Sequence, residues 1–266
     1  MEQETVVKSR VWINILIGTG AFFLAFVIYY TIMSVAASSK KVKETEELYG
    51  YKQDGKTVID ERILSDSTFL RQMKTKSFLQ SRISMAETDS VYITIDLADT
   101  TVNLEISGVI VHRTHITEYE MSKMLRTGNE YVLLNMMSKP FTIVSDFSSI
   151  EKEPLMIKMA PKDTSEFQPD IMPDTADFEP VNYILNLDNG IKVYVYQDEN
   201  LNKSDARHRF FFDLDDRLRT FSDAFSKIIR FRVPDYHPSI KLRLPREDAK
   251  ILYRAIPVNG QIAVNR

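Results

Sequence analysis

The sequence predicts an α+β protein, rich in strands, carried behind a single membrane-spanning helix. Three observations predict it. Residues 11–37 run 27 positions without a charged side chain. From residue 90 onward, several short runs alternate apolar and polar side chains. Residues near 205–230 instead repeat apolar residues at helical spacing, and 246–255 read as a further helix. Clustered strands with a few helices indicate an α+β class rather than a regular α/β alternation.

The 27-residue run, VWINILIGTGAFFLAFVIYYTIMSVAA, exceeds the roughly 20 apolar residues that cross a hydrocarbon core as a helix. Trp12 near one end and Tyr29 and Tyr30 toward the other suit interfacial positions. The small residues Val35, Ala36 and Ala37 allow a competing reading as a cleaved signal peptide. A signal core has only about 7–15 apolar residues, so a retained anchor is preferred. Lys8 and Arg10 flank one side and Lys40, Lys41 and Lys43 the other. The positive-inside count therefore leaves the orientation open.

The remaining elements are taken in chain order. Residues 1–10 form a short tail, and residues 38–89 are polar and charge-rich, a helical stalk or linker. Within it Phe69, Leu70, Met73, Phe78, Leu79 and Ile83 recur at near-helical spacing, as in an amphipathic helix lying on a neighbouring domain. Residues 90–266 form the β-rich domain. VYITIDLA and TVNLEIS alternate about a hairpin turn at Ala98, Asp99 and Thr100, and a third strand, VIVHRTHITEY, comes after Gly108. Residues 131–147 and 155–159 read as shorter strand-like runs, and 161–180 as a Pro/Asp-rich loop. YILNLDNGIKVYVY is a hairpin, with Asp188, Asn189 and Gly190 supplying the turn. In 205–230, Phe210, Leu214, Leu218, Phe221, Phe225 and Ile228 share one stripe, and Pro234 ends the segment. A strand at 240–244, a helix at 246–255 and a strand at 261–264 close the chain.

Composition narrows the chemistry. The 266 residues hold 34 Lys+Arg and 37 Asp+Glu, a formal net charge of −3, so no basic excess favours a nucleic-acid partner. The absence of cysteine excludes disulfides, thiolate nucleophiles and zinc–thiolate sites. His112 and His115 lie three apart on an expected strand and so face opposite sides. His208 and His237 stand apart from them, and no metal-binding or phosphate-binding motif is present. No metal and no cofactor are expected.

The stretch His237-Pro238-Ser239-Ile240-Lys241-Leu242-Arg243-Leu244 carries more information. An extended chain here buries Ile240, Leu242 and Leu244 and gathers hydroxyl, ammonium and guanidinium groups on the other face. Carried on to Val264, the segment SIKLRLPREDAKILYRAIPVNGQIAV resembles the C-terminal active-site region of the L,D-transpeptidase catalytic domain. There a Ser-His-Gly-Cys-x-Arg-Leu run precedes a helix with Asp-Ala and Leu-Tyr, then Val-Pro-Val-Gly and a closing strand. Arg243, Leu244, Pro245, Glu247, Asp248, Ala249, Leu252, Tyr253, Pro257 and Val258 match the second half. The opening hairpin ITIDLADTTVNLEISGVIV is similar to that of the family, and YILNLDNGIKVYVY to the strand pair that delivers its upstream His-Gly. The resemblance covers most of residues 90–266. It implies an L,D-transpeptidase-like fold, sandwich-like with mixed sheets and few helices, in a bacterial cell envelope.

The catalytic run departs from the family. Lys241 stands at the nucleophilic Cys position, Ser239 at the adjacent His position and Ile240 at the intervening Gly; the upstream His-Gly falls on Tyr196-Gln197. Arg243 alone survives. A lysine of pKa about 10.4 is largely protonated, and an amide formed through it is no easier to break than the original peptide bond. Ser239 with Lys241 or His237 forms a conceivable substitute dyad, yet residues i and i+2 of a strand stand about 6.5–7 Å apart, beyond hydrogen-bond reach.

The resemblance therefore implies a catalytically degenerate domain, with Ser239, Lys241 and Tyr196 as its altered positions. Arg243, Lys241 and Tyr196 are the ligand-binding candidates, of which Arg243 and Lys241 are able to hold a carboxylate such as a peptidoglycan stem-peptide terminus. Envelope scaffolding is the equal alternative. An enzyme of altered acyl-transfer chemistry using Ser239, or an unrelated β-rich interaction domain, stay as rivals. The implied location is the inner membrane, single-pass, with the C-terminal domain extracytoplasmic, and the implied partners are the membrane, stem peptides or other envelope proteins. The anchor predicts that the full chain stays in the membrane pellet after an alkaline carbonate wash and is released only by detergent; recovery of intact chain in the wash contradicts it.

Overall fold

A computed structural model describes residues 2–50, 67–152, 179–198 and 203–266. The strand-like run expected at 155–159 and nearly all of the 161–180 loop lie outside these residues. The chain divides into two compact units, Met1–Glu47 with Asp216–Tyr236, and Leu48–Asp215 with His237–Arg266.

In the first unit the apolar run forms one helix, α1 (Glu2–Tyr49), whose segment from Leu16 is long and apolar enough to cross a membrane. Its side chains are outward and apolar, including Phe22, Phe23, Leu24, Ile32 and Val35. Thr31 donates its hydroxyl to the Val27 carbonyl (2.8 Å), so this polar group is satisfied within the helix. The same unit holds the second half of a long helix that spans Lys203–Ile229. Phe221 and Phe225 of that helix meet Tyr30 and Phe26 of α1, at centroid distances of 5.9 and 6.0 Å.

The second unit is built on nine strands: β1 (Val91–Asp96), β2 (Thr101–Ile106), β3 (Val109–His115), β4 (Glu118–Met121), β5 (Phe141–Ser148), β6 (Asn182–Leu187), β7 (Lys192–Gln197), β8 (Ser239–Leu244) and β9 (Gln261–Asn265). They hydrogen-bond in the order β3-β2-β1-β9-β5-β6-β7-β8-β4. Strand β5 joins the two halves. Its Phe141 and Thr142 pair with β9, and from Ile143 on it pairs with β6, with a register shift between Ile143 and Ser145. One buried cluster takes alternate residues from both halves, among them Ile93, Ile95, Val102 and Leu104 from one and Val193, Val195, Ile240 and Leu242 from the other.

The helices occupy the remaining faces. We number them α2 (Ser67–Ala86), α3 (Lys123–Thr127), α4 (Glu130–Met137), α5 (Lys203–Ile229) and α6 (Arg246–Ala255). Of the apolar residues expected on α2, Phe78 is buried, packing with Met85 against Tyr92 and Ala263 on the outer side of β1 and β9. Leu79 and Ile83 stay exposed. Beneath α2 lies a buried polar network. Arg82 Nε donates to Glu105 Oε2 (2.9 Å) and Thr94 Oγ1 to Glu105 Oε1 (2.8 Å), while Asn103 Nδ2 donates to Thr94 (3.2 Å).

Two expectations are corrected. Residues 131–137 are helix, not strand: the Asn129 side chain caps the Tyr131 and Val132 N–H groups, and α4 buries Val132, Leu133, Leu134, Met136 and Met137. A short apolar run does not distinguish a buried helix from a strand, and the cap decides. The expected third strand is two, β3 and β4, at opposite edges of the sheet. Between them Ile116 N bonds Thr100 O and Thr117 N bonds Arg243 O, so the two edges lie within reach of adjacent residues. The helix expected at 205–230 forms as α5, and its apolar stripe is unevenly buried. Phe210, Leu218 and Phe221 are exposed, and Phe212, off the stripe, packs on the strands. Helix α5 also stops at Ile229, before Pro234, as Phe231 adopts a positive φ of 56°.

Glu105 is wholly buried with a partly exposed arginine as its charge partner. Removing one partner of such a pair leaves an uncompensated charge. Arg82→Ala is expected to cost about 3 kcal/mol in urea unfolding of the detergent-solubilised chain, and adding Glu105→Leu is expected to recover at least half of it.

Candidate functional site

The alternation in β8 does what its sequence implies. Ile240, Leu242 and Leu244 enter the core, so Ser239, Lys241 and Arg243 occupy the opposite, outer face. Strand β7 lies parallel to β8 with Tyr194 opposite Lys241 and Tyr196 opposite Arg243. On the other side β4 lies antiparallel, with Glu120 opposite Lys241 and Glu118 opposite Arg243. Strand β6 continues the rows, placing Asn182 beside Tyr196 and Ile184 beside Tyr194. The structure thus brings three of the sequence-predicted residues together: Tyr196 and Arg243 in one row, with Lys241 in the next.

Each is already engaged. Lys241 Nζ donates to Glu120 Oε2 at 3.0 Å, and Arg243 Nε lies 3.2 Å from Glu118 Oε2. Both pairs are solvated, the glutamate side chains being 72% and 67% exposed. At that exposure an ion pair contributes about 0.2–1 kcal/mol. Tyr196 is buried. Its hydroxyl donates to Asp213 Oδ1 (2.8 Å), and the Arg209 guanidinium lies 4.5 Å from its ring centroid. Burial first, then the Asp213 carboxylate, pushes the Tyr196 phenol well above its ordinary value. Phe212, from the same turn of α5, stacks on Phe147 at 5.0 Å and joins Ile184, Tyr194 and Tyr196 in a small apolar cluster. The neighbouring Gln197 is also buried, its side-chain oxygen accepting from Val181 N (2.8 Å).

Ser239 is half-buried in the row of Lys192. Among the described residues its hydroxyl makes no hydrogen bond to Lys241, which donates to Glu120, or to His237, whose Nδ1 is 3.1 Å from Gly190 O. His112 and His115 serve elsewhere. His112 Nε2 is 2.9 Å from Asp248 Oδ1, and Thr114 donates to the second oxygen of that carboxylate (2.6 Å), tying β3 to α6. His115 Nδ1 is 3.3 Å from Thr100 Oγ1. Among the described residues no group of three or more His, Asp or Glu is placed to hold a metal.

Sequence reasoning missed Glu118 and Glu120, and also Asp213 and Arg209. The first pair carried a signal, since Glu-Tyr-Glu alternates in the same way as Lys-Leu-Arg with opposite charge. Merging β4 into the third strand concealed it. The second pair sits on α5, whose docking on Tyr196 is a tertiary fact without a local signature.

Two L,D-transpeptidases are similar in structure. One is an L,D-transpeptidase from Mycobacterium smegmatis, 11% identical, with 66% of this chain and 59% of that chain covered at a TM-score of 0.28. The other is L,D-transpeptidase 3 from Mycobacterium tuberculosis in complex with a faropenem-derived adduct, 15% identical, covering 66% of this chain and 60% of that one, also at 0.28. This chain spans about three-fifths of the length of each. Both likenesses are distant. No protein-family model matches the chain, and no curated protein does.

The buried phenols give the domain an alkaline weakness. Tyr183 and Tyr196 are raised chiefly by burial, and Tyr253 is pushed up to about 12 by burial and its hydrogen bond to Asp146. Unfolded tyrosine loses its proton near pH 10, whereas the folded chain keeps it, so above that pH the unfolded state binds fewer protons and stability falls. Below it these groups add no slope. Each contributes a decline of about 1.4 kcal/mol per pH unit between its two pKa values. Tyr196→Phe is expected to make the loss of stability between pH 10 and 11.5 measurably shallower, read from denaturant midpoints.

Proposed function

We propose that this chain is a membrane-anchored protein of a bacterial cell envelope whose L,D-transpeptidase-like domain performs no acyl transfer and acts as a scaffold. The domain sits on the extracytoplasmic, periplasmic side of the inner membrane, held by α1. The observation that carries the reading is the cross-strand pairing of Lys241 with Glu120 and of Arg243 with Glu118. The position that resembles the nucleophile holds an ammonium group already committed to a carboxylate, and the position that resembles the upstream His holds a buried tyrosine bonded to Asp213. Neither can generate a nucleophile.

The same reading gives the sheet a sandwich-like form. Strand β5 passes between its halves, both halves feed one apolar cluster, and the edges β3 and β4 are joined by only Ile116 and Thr117. Scaffolding is favoured over stem-peptide recognition because a ligand carboxylate has to displace Glu118 from Arg243 before it can bind. Solvated pairs are weak enough for such displacement, so recognition is the outcome to test against.

Two measurements on the detergent-solubilised full chain decide between these activities. After incubation with donor stem peptide or with faropenem, the intact mass is expected to stay unchanged. A stable increase that maps to Ser239 or Lys241 replaces the inert reading with acyl-transfer chemistry. Sedimentation with purified peptidoglycan is expected to retain no more Arg243-bearing chain than Arg243→Ala. Salt-sensitive retention lost in Arg243→Ala makes the domain a recognition module instead.

A further inference from the structure

The first unit contains an apolar surface that the scaffold reading does not use. The second half of α5 carries Leu218, Phe221, Phe225 and Ile229, followed by Phe231, and all five are substantially exposed, Phe231 by 83%. The rings are not scattered. Phe225 meets Phe26, Phe221 meets Tyr30, and Phe231 lies 6.1 Å from Tyr29, while the Tyr29 hydroxyl donates to the Ile228 carbonyl (3.4 Å). The helix ends in a tight reversal, with Phe231 N and Arg232 N bonded to Ile228 O and Lys227 O.

The depth of these contacts is set by α1. Starting at residue 11, 20 helical residues at 1.5 Å each cover about 30 Å, the thickness of the hydrocarbon core, and end at Tyr30. With the first 20 residues of the 27-residue run placed in the hydrocarbon core, Tyr29 and Tyr30 sit at its boundary, where their amphipathic rings are favoured, whichever way the chain is oriented. Phe221 and Phe231 meet Tyr30 and Tyr29 at that level, and Phe225 meets Phe26 one helical turn deeper. Its flanks bear Arg217, Arg219, Lys227, Arg230 and Arg232 against Asp216, Asp223 and Asp235, and Lys227 is ion-paired with Asp235. An amphipathic helix with aromatic and aliphatic residues on one side and a basic excess beside them has the composition of an element lying in the plane of a bilayer surface.

We propose that residues 216–232 form a second membrane contact, an interfacial helix whose Leu218, Phe221, Phe225, Ile229 and Phe231 enter the acyl boundary while Arg217, Arg230 and Arg232 meet anionic lipid headgroups. It rests on α1 being a retained anchor. The chain would then be held at the membrane by two elements far apart in sequence.

The cysteine-free sequence allows single spin labels without background. Full-length Leu24→Cys and Phe231→Cys variants are reconstituted in phosphatidylcholine vesicles with and without phosphatidylglycerol, and oxygen and nickel-chelate accessibilities are read by EPR. The expected result is a Leu24 label deep in lipid and a Phe231 label at headgroup depth. Its nickel accessibility is expected to rise at least twofold when phosphatidylglycerol is omitted. A Leu24 label in lipid with a Phe231 label as nickel-accessible as in free solution overturns the interfacial helix and leaves the anchor standing. A Phe231 label shielded from both reagents replaces the lipid by a protein partner or a second copy and also overturns it. A Leu24 label in water removes the anchor and the inference together. Equal Phe231 accessibility in both vesicle types overturns the anionic-lipid assignment.

Discussion

The β-rich domain depends on where its last strand goes. Strand β9 runs parallel to β1, pairing Tyr92 with Gln261 through Asp96 with Asn265, and antiparallel to the start of β5. Among the described strands it joins the β1–β3 half to the half that carries the candidate site. Its side chains suit that central place. Ile262 and Val264 enter the main cluster, while Ala263, fully buried on the other side, is small enough for Phe78 and Met85 of α2 to close over it. Asp96 Oδ1 accepts from Asn265 Nδ2 and from the N–H groups of Ala98 and Asp99, so one carboxylate holds both the first hairpin turn and the last strand. Gly260 is required at the entry: a Cβ there would lie 2.5 Å from the Ile256 side chain. Pairing residue 92 with residue 261 makes the topology strongly non-local, a property that slows folding because loop-closure entropy precedes the reward of contact.

That frame dictates the outer face of β8. A strand with one face committed to the core has its other face fixed by parity, and a slip of one residue would drive Lys241 and Arg243 into the cluster of Ile240, Leu242 and Leu244. The facing strand β4 is an edge strand, and its Glu118 and Glu120 answer the two cations in register. The pairs contribute little to stability, yet they match only one register. Charged side chains on an exposed edge also discourage pairing with another chain. The ladder is thus sufficiently explained by sheet assembly.

Much of this was legible in sequence where the chain repeats a simple period. The alternation in β1, β2, β6, β7 and β8 announced those strands, and the period of 3.6 announced α5. The face shared by Ser239, Lys241 and Arg243 is fixed by period 2 alone. What was illegible is what the chain decides over long distances. Residues 131–137 are as apolar as a buried strand, and the Asn129 cap is the one local sign of the helix they form. Nothing local separates β3 from β4, because the break at Ile116 and Thr117 exists only where the two sheet edges approach each other. The stripe on α5 was visible, but its surroundings were not: Phe212 lies on the β-sheet while Phe221 and Phe225 meet α1.

On the proposed reading, loss of chemistry is more than one substitution deep. A cysteine placed at 241 would stand opposite Glu120, a negative neighbour that disfavours the thiolate. It would also lack a base. The residue beside Arg243 across the β7–β8 pair is Tyr196, enclosed by Phe212, Phe147 and Ile184 with its hydroxyl bound to Asp213 and its ring under Arg209. An imidazole placed there would inherit a pocket shaped for a phenol and a carboxylate that no longer reaches the same atom. Opening the site further would mean lifting the α5 turn that carries Arg209, Phe212 and Asp213, which uncovers an apolar cluster. The packing that closes this face therefore contributes to the stability of the fold, with Arg209, Phe212 and Asp213 of α5 closing over Tyr196 on the sheet.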